Sequence, residues 1–255
     1  MSTRTSRHSV SVLVCLMVIA IVAPALAGRP LVTEDTGTLD PGQVEAELGF
    51  EYVRDREVRT FGAPAGLALN IGLLPRLEGT IGTTIVVLDA PGASSQAGIG
   101  DSDAKLKYRF VDETPNIPAV MGAMALRLPT GDESRGLGEP GVDVQALAVA
   151  SKTFGPATLT VNAGYTFVTA DRTADVVNVN ASVDAAITDT WSVVAEIVSE
   201  LATHRRADDR VVVRVGTTYE VAKSVTLDAA AAVGVTRASP DLLLTVGVTV
   251  LLSGR

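Results

Sequence analysis

The sequence predicts an all-β fold, a transmembrane antiparallel up-and-down β-barrel of about twelve strands, and three observations predict it. The chain opens on an export leader, no second long apolar run follows, and apolar and polar residues then alternate in segment after segment. Successive side chains of a strand point to opposite faces, so a wall wetted on one side and lipid-coated on the other must alternate with a period of two.

The leader fixes the compartment. Met1 to Ser9 carries Arg4 and Arg7 and no acid, an apolar run spans Val10 to Val22, and Ala23-Pro24-Ala25-Leu26-Ala27 supplies an Ala-x-Ala cleavage site before Gly28. The run is shorter than the roughly 20 residues a spanning helix needs. Residues 1–27 therefore read as a cleaved signal peptide, 28–42 as an N-terminal periplasmic segment and 43–255 as the barrel, in the cell outer membrane. Removing 27 of 255 residues leaves 228, with no cysteine, because Cys15 lies in the leader. The processed chain thus has no disulfide, cysteine ligand or thiol nucleophile. Composition agrees: 47% of residues are hydrophobic, yet 20% are charged. Of 21 basic residues two are in the leader, so 19 face 29 acidic ones, a net charge of −10. That balance excludes nucleic acid, which needs a concentrated basic face.

The strands follow in order. In Gln43–Arg54, Val44, Ala46, Leu48, Phe50 and Tyr52 oppose Glu45, Glu47, Gly49 and Glu51. Leu67, Leu69, Ile71 and Leu73 form the second, and Leu77, Ile81, Ile85 and Val87 the third. In the fourth, Ala104, Leu106, Tyr108 and Phe110 oppose Asp103, Lys105, Lys107 and Arg109. Ala119–Leu128 and Val142–Phe154 are blurred, because Ala and Val occupy both faces. Leu159 to Phe167, Val177 to Ile187, Trp191 to Ile197 and Val211 to Val215 alternate cleanly, Val225–Gly234 is blurred, and Leu242 to Leu252 closes the set. The longer connections, expected outside the cell, are Asp55–Pro64, Asp89–Gly98, Pro129–Gly141, Ala170–Asp175, Leu201–Asp209 and Thr236–Pro240. The shorter ones, expected in the periplasm, include Leu74–Arg76, Gly155–Pro156, Thr188–Thr190 and Glu220–Ser224; Val111–Pro118 is the long exception. Aromatic residues fall at two levels. Phe50, Tyr52, Phe61, Tyr165 and Phe167 are expected at the outer rim, and Tyr108, Phe110, Phe154, Trp191 and Tyr219 at the inner one.

Several motifs carry a resemblance: Arg29-Pro30-Leu31-Val32-Thr33-Glu34-Asp35-Thr36, Gly98-Ile99-Gly100-Asp101, Lys105-Leu106-Lys107-Tyr108-Arg109-Phe110, Leu128-Pro129-Thr130-Gly131-Asp132 and Asn162-Ala163-Gly164-Tyr165. In that order they resemble the outer-membrane family named after the meta-pathway of phenol degradation, whose members are often labelled simply transporters. The resemblance implies an outer-membrane barrel that takes up small compounds, aromatic ones among them.

The polar face predicts the lumen lining: Glu45, Glu47, Glu51, Lys105, Lys107, Arg109, Arg127, Asp143, Asp184, Glu196, Arg214 and Asp228. These charges read either as a constriction that selects solutes or as salt bridges that fill the interior. Glu45, Glu47 and Glu51 are the expected partners of the basic row Lys105, Lys107 and Arg109, reached across the bore. Barrels of eight strands are filled and those of 16–18 leave a channel, and about twelve lies between. The function expected is passive passage of small solutes; the alternative is a structural or adhesive barrel without transport. Beyond the leader the one histidine, His204, sits in a predicted loop among Arg205 and Arg206, and no nucleophile or dinucleotide motif accompanies it. No catalytic residue, cofactor or metal site is predicted. The expected partners are the lipid bilayer, lipopolysaccharide, a small solute and the barrel assembly machinery.

Overall fold

A computed structural model describes residues 28–62, 67–89, 94–205 and 207–253; the predicted leader lies outside them. Thirteen strands run through the described residues: β1 (Val44–Asp55), β2 (Val58–Gly62), β3 (Leu67–Leu74), β4 (Leu77–Asp89), β5 (Gln96–Val111), β6 (Ala119–Leu128), β7 (Asp143–Phe154), β8 (Ala157–Val168), β9 (Val176–Ala186), β10 (Trp191–Ala202), β11 (Arg210–Ala222), β12 (Val225–Gly234) and β13 (Leu242–Ser253). Each pairs antiparallel with its neighbour, and β13 returns to β1 from Val44↔Ser253 to Arg54↔Leu242, which closes the wall. Closure satisfies the backbone of both terminal strands, the condition for a sheet in hydrocarbon. No described helix is long and apolar enough to cross a membrane, a statement that does not bear on strands.

The wall has twelve positions because β2 and β3 share one. β1 pairs with β2 from Glu51↔Gly62 to Asp55↔Val58 and with β3 from Val44↔Ile71 to Leu48↔Leu67, and β4 lies along both. The loop expected at Asp55–Pro64 is thus a tight turn at Arg56-Glu57, with Arg56 at φ 56°, followed by a strand. The fourth predicted strand also starts earlier, at Gln96 instead of Asp103. Between Thr83↔Ser102 and Ile85↔Ile99 two steps on β4 oppose three on β5. This bulge shifts the phase, so outward positions are odd at Ile99 and even at Leu106.

The two faces separate cleanly. Lys107 is 6% exposed, between Leu106 at 49% and Tyr108 at 40%. The blurred strands resolve in the same way: Met121, Ala123 and Val149 are buried together on the inner face, with Met124 and Phe154 on the outer. Trp191 lies opposite Tyr219, and Tyr108 meets Phe110 edge-on at 5.0 Å. Phe50 departs from its expected rim position. It faces Val246, midway along β1 and β13.

The long connection after β5 is pinned. Glu113 accepts from Lys152 Nζ at 2.8 Å, from the Thr153 amide at 2.9 Å and from the Thr153 hydroxyl at 3.0 Å. Burial pushes its carboxyl up, but these hydrogen bonds outweigh burial and hold it below the usual carboxylate range. At the other rim, the connection between β6 and β7 folds inward. Its Leu137 is buried, and a Cβ on Gly98 would stand 2.9 Å from it. Asp101 fastens this loop, accepting from the amides of Gly131 at 3.0 Å and Glu139 at 2.9 Å.

Candidate functional site

The polar inner face is occupied by the chain's own N-terminal segment. Residues 28–41 contact the inner faces of β1, β3, β4, β5, β8 and β10 to β13, so the segment expected in the periplasm crosses the bore. It has no strand or helix of its own, and wall side chains bond its backbone at Pro30, Val32, Thr33, Glu34, Thr36 and Leu39.

The path starts at the closing seam. Gly49 and Gly247 are direct cross-strand partners on β1 and β13, and the guanidinium of Arg29 lies flat against both. A side chain on either would collide with it, so this pair of glycines forms the slot. Arg29 Nη2 pairs with Asp228 at 3.4 Å and donates to the Val246 carbonyl at 3.0 Å. Pro30 then offers its carbonyl to Arg214 Nη1. Arg214 also lies 3.3 Å from Glu196 and 3.5 Å from Glu51.

Glu196 is the next anchor. Its carboxylate accepts from the Val32 amide at 3.0 Å, the Thr33 amide at 2.8 Å and the Thr33 hydroxyl at 2.7 Å. Asn162 clamps the following residue through both of its peptides: its Oδ1 accepts from the Glu34 amide at 2.8 Å and its Nδ2 donates to the Glu34 carbonyl at 2.7 Å. The Glu34 side chain meets Lys105 and lies 3.1 Å from Lys107, which is itself 3.1 Å from Glu78. Arg109 donates to the Thr36 carbonyl at 3.1 Å, and Glu78 accepts from the Leu39 amide at 2.8 Å. The segment leaves by packing Asp40 against Gly72, where Gly42 donates to the Gly72 carbonyl at 2.8 Å.

Electrostatically the buried cations are all paired, as buried charge requires, whereas the acids Asp35, Glu45, Glu47 and Asp184 stand without an ion pair among the described residues. The pairing differs from the one the sequence suggested. Lys105 and Lys107 do not reach Glu45, Glu47 and Glu51 across an open bore; Glu34 of the segment and Glu78 of β4 answer them. Glu51 instead lies with Arg214, while Glu45 and Glu47 accept from Asn70 Nδ2 at 3.0 and 2.7 Å. Arg127 forms a separate cluster near the inward loop, with Asp101 and with Asp143 at 2.6 Å. Asp184 stands apart, beside Ser192. Sequence reasoning missed Arg29, Thr33, Glu34, Asn70, Glu78 and Asn162. Alternation had put the two amides and Glu78 on the polar face, but a search for charged clusters passes over amides, and a non-periodic segment offers no face at all. Among the described residues no group of three or more His, Cys, Asp or Glu is arranged to hold a metal ion.

Comparison with known proteins extends this picture. The family described as "Putative MetA-pathway of phenol degradation" matches residues 27–252. Among solved structures, an outer membrane channel from Pseudomonas putida F1 superposes with a TM-score of 0.68 at 12% identity, over 87% of this chain and all of that one. The NanC porin gives 0.57 at 8% identity, covering 81% of this chain and 98% of its own. The KdgM porin gives 0.56 at 7% identity, covering 83% and 99%. At these identities the shared property is the fold. No curated protein matches the chain.

Proposed function

The chain belongs to the phenol-degradation family matched over residues 27–252, and from that premise we infer that it is an outer-membrane channel for passive passage of small solutes. The observation that carries this reading is the closed twelve-position barrel with a charged inner face, filled by a segment that contributes no strand to the wall. Filling that is not wall can leave without opening any ladder. Twelve positions surround more space than the eight that side chains alone fill, and residues 28–41 occupy that excess. The superposing structures include a channel and two porins, which supports passage over catalysis. Small aromatic compounds are the solute class the family description suggests. Glu45, Glu47, Glu51, Lys105, Lys107, Arg109, Arg127, Asp184, Glu196, Arg214 and Asp228 would line the path once the segment moves. The leader delivers the chain to the outer membrane, the assembly machinery inserts it, and loop cations such as Arg205 meet lipopolysaccharide phosphates.

The filled bore also supports a structural or adhesive barrel, and one experiment separates the two. The full processed protein and a variant lacking residues 28–41 are reconstituted in planar bilayers. Stepwise conductance, larger in the variant, is the expected result. Silence from both over many insertions would favour the structural barrel.

A further inference from the structure

Glu47 lies on the inner face of β1 and is 8% exposed. Its Oε1 accepts from Asn70, yet among the described residues no cation stands within ion-pairing distance of it. Its counterparts are answered, Asp35 and Glu45 excepted: Glu51 has Arg214, Glu34 has Lys105 and Lys107, Glu78 has Lys107, and Asp228 has Arg29. A carboxylate removed from water without a cation is costly. What lies against Glu47 is Gly28: a carbon built on the Gly28 α-carbon would stand 2.8 Å from Oε1. The Gly28 nitrogen is bonded to that same α-carbon.

The sequence places the predicted leader cleavage at the Ala27–Gly28 bond. Hydrolysis there adds water across the peptide, leaving a carboxylate on Ala27 and an amine on Gly28. That amine takes up a proton, because an α-amino group titrates near about 7.7–8.0. We propose that Glu47 is the binding site for the processed amino terminus, and that the Gly28 ammonium is its missing cation. Seating of the lumenal segment then depends on prior processing. An uncleaved chain presents a neutral amide at this point and leaves Glu47 unanswered. Gly28 suits the role because any side chain there would crowd Oε1.

The test uses the processed protein from outer membranes and an aldehyde reagent selective for α-amines, read by mass spectrometry of the N-terminal peptide. That peptide should begin at Gly28, and the folded protein should label at least about tenfold more slowly than the urea-denatured one, the factor that 1.4 kcal/mol of pairing supplies. Glu47→Gln should restore fast labelling, whereas Glu45→Gln, on the same face and bonded to the same Asn70, should not. Gly28→Ala supplies a second variant if Glu47→Gln loses the unboiled gel shift of a folded barrel; it too should label faster. A terminus elsewhere, folded-state labelling as fast as denatured, or equal responses to Glu45→Gln and Glu47→Gln would overturn the proposal. None of these readouts needs a current, so its failure is distinct from failure of the channel reading.

Discussion

Gly49 and Gly247 show how much a missing side chain can decide. Each faces inward from the closing seam, and each leaves room for the planar head of Arg29 where any Cβ would displace it. Gly49→Ala is expected to keep the barrel, because alanine fits a strand, while expelling the guanidinium from its contacts with Asp228 and the Val246 carbonyl. A hydrogen bond to a charged group is worth about 1.5–3 kcal/mol, so its loss should raise open probability in single-channel records at least about tenfold. An unchanged record from a variant with a normal gel shift would show that Arg29 does not hold the segment. Glu196 and Asn162 work differently. They act as substitutes for a neighbouring strand, satisfying peptide groups of residues 32–34 that have no ladder.

Strands were the most legible elements, since a wall between two solvents writes itself into a two-residue period. Legibility failed where the period was interrupted. β2 was hidden because Arg56 turns the chain through positive φ and Arg59 and Thr60 look like loop residues. The upper part of β5 was hidden by the bulge near Ser102, after which no single frame fits both halves. β13 has no such interruption and offers the cleanest test of the lipid face. Val246, opposite Phe50 and 55% exposed, lies mid-strand, while Leu252, 59% exposed, lies at its end. Val246→Arg should cost about 2–4 kcal/mol and Leu252→Arg about 0–1 kcal/mol, measured by reversible unfolding in lipid. Equal small costs would mean that Val246 does not face hydrocarbon.

At the scale of the whole molecule, the interior was only half legible. Alternation put the charges on the inner face, but their partners lie far off along the chain: Glu34 is 71 residues from Lys105, and Thr33 is 163 from Glu196. No local pattern records such distances. Replacing Lys105, Lys107 and Arg109 together with Gln should therefore unseat the segment as well as change the lining. The expected outcome is a larger current with selectivity shifted toward cations and a retained gel shift. Unaltered current and selectivity in a folded triple variant would remove the basic row from both roles. Cleavage before Gly28 would give the segment a free end, with a further consequence, one of tethering. Residues 28–41, anchored at Gly42 beside Gly72, would span about 46–50 Å if fully extended at roughly 3.3–3.6 Å per residue. A bilayer core is about 30 Å thick, so the tail is long enough to leave the bore entirely and still reach back to its sites. Re-entry is then a first-order event, at an effective concentration on the order of millimolar set by the tether and not by the number of barrels in the membrane. A closing element of this kind is carried by each molecule for itself. A free peptide of the same residues would have to be supplied at about that concentration to replace it.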